Sequence, residues 1–82
     1  MISYKGGNGS TQQEAIIIVG AKDEMEGVNA EYDYLDGKYG EYELLDQTFV
    51  GEDQKQYDIL IIQLPDGTSV ECWFDISGFY GI

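Results

Sequence analysis

The sequence predicts an α+β fold in the order β-β-α-β-β-β, with one amphipathic helix packed on a mostly antiparallel sheet that ends in a three-stranded meander. Three observations predict it. Met25, Val28, Tyr32, Leu35 and Tyr39 recur at helical spacing; Ala15-Ile16-Ile17-Ile18-Val19 is a short β-branched run; and strand-like segments near 42–50, 56–64 and 68–76 are divided by polar turns. Elements of this kind, each with one apolar face, bury it by layering helix on sheet.

Ile2-Ser3-Tyr4 reads as a short edge strand, and the Gly6-Gly7-Asn8-Gly9-Ser10 stretch after it as a loop, since glycine accepts backbone angles closed to other residues. Residues 15–19 are apolar at every position, which places a strand inside a sheet rather than at its margin. A buried helix start, with Thr11 and Glu14 as a capping box, is the competing reading. The helix is expected over 23–39. Asp23 and Glu24 suit its positive N-terminal end, Lys38 its C-terminal end, and Gly40 a left-handed stop. Gly27 lies inside the pattern and either admits a neighbouring element closely or marks the true start.

In the meander, Gly51-Glu52-Asp53-Gln54-Lys55 is a polar turn, and Asp66-Gly67 favours the positive-φ geometry of a hairpin. Tyr57 to Leu64 is apolar on both faces and is expected as the central strand. In the last strand Val70, Cys72, Phe74 and Ile76 share a face and are expected beneath the helix.

With 82 residues, the chain has volume for one core, so residues 1–82 form a single domain. At 43% hydrophobic residues it has the apolar surface to offset the entropy of folding. Sixteen acidic residues face four lysines, with no histidine or arginine, for a net charge of −12. Such a surface repels nucleic-acid backbones and anionic membranes, so no direct nucleic-acid or membrane binding is expected and a basic protein surface is the favoured partner. Without a signal-peptide pattern, and with no apolar run long enough to cross a bilayer, the expected location is cytoplasmic.

Missing histidine and arginine remove the common general base and the bidentate phosphate clamp, so the chain is expected not to be an enzyme and to carry no cofactor; Asp33, Asp36 and Glu43 do not follow the spacing of a calcium loop, and no metal is expected. Cys72 has no second thiol and falls on the buried face, where a thiol is inert. The glycine-rich loop 5–11 lacks the Gly-Lys-Ser/Thr ending of a phosphate loop, and a ligand-sensing role for it is an alternative only. A further alternative is an accessory subunit whose Trp73 face completes a larger assembly.

The feature with most functional content is the acidic distribution over the helix and the start of the next strand. Glu24, Glu26, Glu31 and Asp33 are expected to face outward, with Tyr34, Tyr42 and Glu43 beside them. Carboxylates mixed with tyrosines suit a partner-binding interface, because charge steers encounter while rigid aromatics supply contact area.

Tyr4-Lys5-Gly6-Gly7 with Gly9-Ser10, Ala15-Ile16, Gly20-Ala21, Gly27 and Ala30-Glu31-Tyr32, followed by Asp66-Gly67 and Phe74-Asp75-Ile76 with Phe79, form a pattern over nearly the whole chain. It resembles a group of small bacterial proteins without an assigned function. The resemblance implies a bacterial or phage source and supplies no site residue. An acidic binding protein from that source fits an immunity-type or phage-encoded inhibitor.

Overall fold

The computed structural model describes residues 1–81, which form one helix on a five-stranded mixed sheet. Along the chain these are β1 (Ser3–Gly6), β2 (Ile16–Val19), α1 (Glu24–Tyr39), β3 (Glu43–Glu52), β4 (Lys55–Gln63) and β5 (Ser69–Asp75). The strands lie side by side in the order β1-β2-β5-β4-β3. All neighbours are antiparallel except β2 and β5, which run parallel with Ile16 beside Phe74 and Ile17 beside Asp75. The β-branched run is therefore an inner strand. β4 is the centre of the meander, and β5 is the middle of the whole sheet.

Both hairpin turns follow from local chemistry. Glu52 pairs with Lys55 across a two-residue turn in which Asp53 takes φ 55°, a conformation that aspartate tolerates better than most side chains. Gly67 adopts φ 90° in the turn between β4 and β5, where the Thr68 amide donates to Asp66 Oδ1 at 2.9 Å. That bond, on the exposed Asp66, holds its carboxyl below the usual range.

α1 starts where Asp23 Oδ1 accepts the Glu26 amide at 2.8 Å, and ends at Gly40, φ 74°, whose amide donates to the Asp36 carbonyl. The face it buries differs from the expected one. Gly27, Ala30, Glu31 and Leu35 are buried, whereas Met25, expected inward, is 76% exposed, and Val28, Tyr32 and Tyr39 are half-buried flanks. At 3.6 residues per turn the buried face lies about 100° around the axis from the Met25–Tyr39 stripe.

Small residues explain the rotation. A Cβ on Gly27 would lie 2.3 Å from the Phe79 ring, so only glycine admits that ring against the helix. Phe79 is held there by a turn after β5 in which its amide and that of Tyr80 donate to the Ile76 carbonyl. Three residues along, the Tyr4 hydroxyl donates to the Ala30 carbonyl at 2.7 Å. Burial and the nearby negative charge of Asp33 raise the pKa of that hydroxyl.

The core lies between α1 and one face of the sheet, built from Ile16, Ile18, Leu35, Leu60, Ile62, Cys72, Phe74, Ile76 and Phe79. The opposite face carries no helix. There Tyr57 and Ile59 are buried by their own neighbours, including Trp73, whose ring meets Tyr57 edge-on at 5.8 Å. Among the described residues no helix is long and apolar enough to cross a membrane.

Candidate functional site

The expected site residues do not form one surface. Glu24 and Glu26 are engaged within the fold: Glu24 Oε2 accepts the Gly81 amide at 3.1 Å, far along the chain, and Glu26 Oε1 accepts the nearby Lys22 amide at 3.2 Å. Asp33 is exposed on the outer side of α1. Tyr34, expected at the edge of the apolar stripe, has a half-buried ring there, edge-on to Tyr4 at 5.1 Å and to Phe74 at 5.8 Å, with Lys38 Nζ 5.7 Å from its centre. It braces helix against sheet.

Glu31 is a correction. Expected outward, it is fully buried because the helix turns its Gly27–Ala30–Glu31 side to the sheet. Neither of its carboxyl oxygens lies in hydrogen-bonding geometry with any group. Burial first, and then the Asp58 carboxyl on β4, push its pKa to about 10. Asp58, only 8% exposed, acts both as a prospective acceptor for the protonated form and as a like charge. Cys72, on β5, is near enough for its own thiol to register the Glu31 charge.

Tyr42 and Glu43 are brought together with Glu41. These three, with Gln63, Leu64, Pro65 and Gly67, line an open depression of about 440 Å³ where the chain leaves α1 and passes the β4–β5 turn. The Tyr42 hydroxyl donates to Asp36 Oδ1 at 2.9 Å, and burial together with that bond pushes its pKa to about 12.

From this depression runs β3, the free margin of the sheet. Nine of its ten residues are exposed, and Leu44, Leu45 and Phe49 retain 38%, 48% and 48% of their surface. Register with β4 puts Glu43, Asp46 and Glu52 on the uncovered face and Leu44 and Phe49 on the helix side, where Phe49 stacks on Tyr80 at 5.0 Å. A bulge between Leu44 and Asp46 sets this parity, and the ladder then runs unbroken to Glu52. The sequence reading missed these apolar residues because it took the segment as an ordinary member of the meander.

No family model, curated protein or solved structure matches the chain.

The remaining reactive groups are poorly placed for chemistry. The Cys72 thiol is 1% exposed, and burial pushes its pKa to about 11 despite the lowering effect of Lys38. In the loop at 5–11, the Gly7, Gly9 and Ser10 amides donate to Ala15, Glu14 and Asn8 oxygens, so they are not turned outward to cradle an anion. Its Gly9 carbonyl accepts the Trp73 amide at 2.7 Å and ties the loop to β5. No group of three or more acids and cysteine suited to a metal ion occurs among the described residues. A second depression, of about 290 Å³, holds the Lys55–Asp75 ion pair at 3.3 Å, the one salt bridge among those residues.

Proposed function

We propose that this protein is a non-catalytic acidic binding domain that occupies a basic surface of a partner protein, as an immunity-type or phage-encoded inhibitor does. The observation that carries the reading is the β3 margin, where exposed Leu44, Leu45 and Phe49 adjoin the acids Glu43, Asp46 and Glu52. Large apolar side chains left exposed beside charges of one sign supply contact area and electrostatic selection together. The net charge of −12, with one ion pair among the described residues, extends that field over the molecule. The expected interface thereby moves from the outer face of α1 to β3 and the depression at Tyr42.

Affinity capture from a bacterial lysate with the tagged chain tests the proposal. A basic protein should be retained at about 0.05 M salt and released by about 0.5 M, as screening shortens the reach of charge. The Glu43→Gln, Asp46→Asn, Glu52→Gln variant should not retain it. Capture of acidic proteins alone, or equal capture by the variant, refutes the reading.

The uncovered sheet face supports a second reading, an accessory subunit. Ile17, Ile61 and Trp73 are half-buried there without a covering layer. Sedimentation of the purified chain and of its Trp73→Ser variant separates the two, since a subunit of this kind would lose its assembly with Trp73 while a β3 binder would not.

A further inference from the structure

We infer that β3 takes up an extended basic segment of the partner as a sixth strand, pairing along Asp46–Glu52. This rests on the proposed binding of a basic protein and specifies how that protein is held. In an antiparallel ladder every second residue turns its backbone N–H and C=O away from its neighbour, so the outer side of β3 presents unpaired donors and acceptors. Apart from the Phe49–Tyr80 stack, β3 contacts the rest of the fold chiefly through β4. The other margin of the sheet, β1, is only four residues long.

Natural edges of this length are usually blunted by proline, lysine or a covering loop. β3 has no proline and no lysine, and its bulge at Leu45 lies outside the regular Asp46–Glu52 stretch. What it carries instead is acid on one face. An antiparallel second copy centred on Phe49 would set Asp46 against Glu52 at both ends, and like charges directly opposite one another disfavour that pairing. The same arrangement favours a strand with lysine or arginine beside Asp46 and Glu52. Alternation then puts that strand's intervening residues beside Phe49 and Tyr80, where apolar side chains suit. The occupant is therefore a segment of alternating basic and apolar residues from another protein.

The test uses the whole chain and a peptide as long as Asp46–Glu52 that alternates lysine with valine, together with an analogue N-methylated at alternate amides. The analogue keeps the charge and side chains but cannot complete a ladder. Strand addition predicts slowed amide exchange in β3 on adding the plain peptide, and at least about tenfold weaker binding of the analogue, from loss of several backbone hydrogen bonds. Equal binding of the two peptides overturns strand addition while leaving an electrostatic partner intact. Binding of neither peptide, or protection appearing at β1, also overturns it. A concentration-dependent dimer of the chain alone with β3 protected would assign the edge to a second copy and overturn the inference in the same way. Failure of the lysate capture, by contrast, bears on the proposed function itself.

Discussion

Replacing Glu31 by glutamine should make this domain more stable at neutral pH and flatten its pH dependence. The folded carboxyl is pushed from 4.5 to about 10, chiefly by burial and then by Asp58. The charged group that acts on it is Asp58 on β4, and the Cys72 thiol on β5 lies close enough to feel it. Neither forms an ion pair with it. A raised folded pKa means that the folded state binds a proton which the unfolded chain releases above about pH 4.5. Stability from this group is fully present below that pH and is lost as pH rises toward 10. The limiting slope is about 1.4 kcal/mol per pH unit for one proton. Even half of that slope removes between 1 and 2 kcal/mol, roughly, from pH 4.5 to 7, a large part of the about 3–5 kcal/mol that a core of this size supplies.

Glutamine keeps the shape and cannot ionise. Urea unfolding followed by Trp73 fluorescence at pH 5, 6, 7 and 8 should show Glu31→Gln gaining about 1–2 kcal/mol over the parent at pH 7, and less at pH 5. Repulsion among the surface acids produces a slope of the same sign, so Asp33→Asn, which removes the same charge at an exposed site, is the control. It should move stability by no more than about 0.5 kcal/mol. An equal loss of stability in Glu31→Gln at pH 5 and pH 8, or a pH slope matching that of Asp33→Asn, would refute the argument.

Other expectations concern packing. Gly27→Ala, which in an open helix would gain up to about 1 kcal/mol, should instead lose about 1–3 kcal/mol in urea unfolding, because the new methyl meets the Phe79 ring; Phe79→Leu should recover part of the loss. Gly9→Ala should lose about 1–2 kcal/mol, since Gly9 sits at φ 85° and its Cβ would lie 2.9 Å from Ile16 and 3.0 Å from the Cys72 sulfur. Cys72 should react with a thiol reagent at pH 8 at least about a hundredfold more slowly in the folded chain than in urea, because burial suppresses both access and thiolate. Ready labelling of the folded chain would mean that the helix–sheet core opens locally.

The strands and the helix were legible because each is bounded by a local signal. Asp23 and Gly40 cap the helix, and Asp53 and Gly67 supply the turns at which β3, β4 and β5 reverse. The burial of Cys72 followed from alternation along β5. Strand order was not legible, because the connection through α1 carries the chain past β5 and β4 before β3 is laid down, and no short-range pattern records where such a crossover lands. The inner face of α1 was misread for a related reason. Gly27 and Ala30 score as weakly apolar and Glu31 as polar, yet smallness lets a helix approach a sheet, and the residue that demands it, Phe79, lies beyond β5. The seven tyrosines spread apolar character around the helix and the strands, so hydropathy alone did not choose a side. In the candidate site, Glu43 was singled out through charge and Tyr42 as an aromatic beside it, whereas Leu44, Leu45 and Phe49 became notable only once β3 proved to be an edge.

Core and surface should respond differently to a partner of the proposed kind. A basic protein seated on β3 would relieve repulsion among Glu43, Asp46, Glu52 and their neighbours, and would stabilise the folded chain by mass action, about 2.7 kcal/mol at a hundred times the dissociation constant. The surface share of the pH slope should therefore shrink in the complex. Glu31 is buried on the sheet-facing side of α1 and would be out of such a partner's reach, so its share should persist. Comparing pH slopes of the free chain, the complex and Glu31→Gln in the complex separates the two origins. A slope that vanished on binding, with Glu31 intact, would place the whole effect at the surface and leave the buried carboxyl without an energetic role.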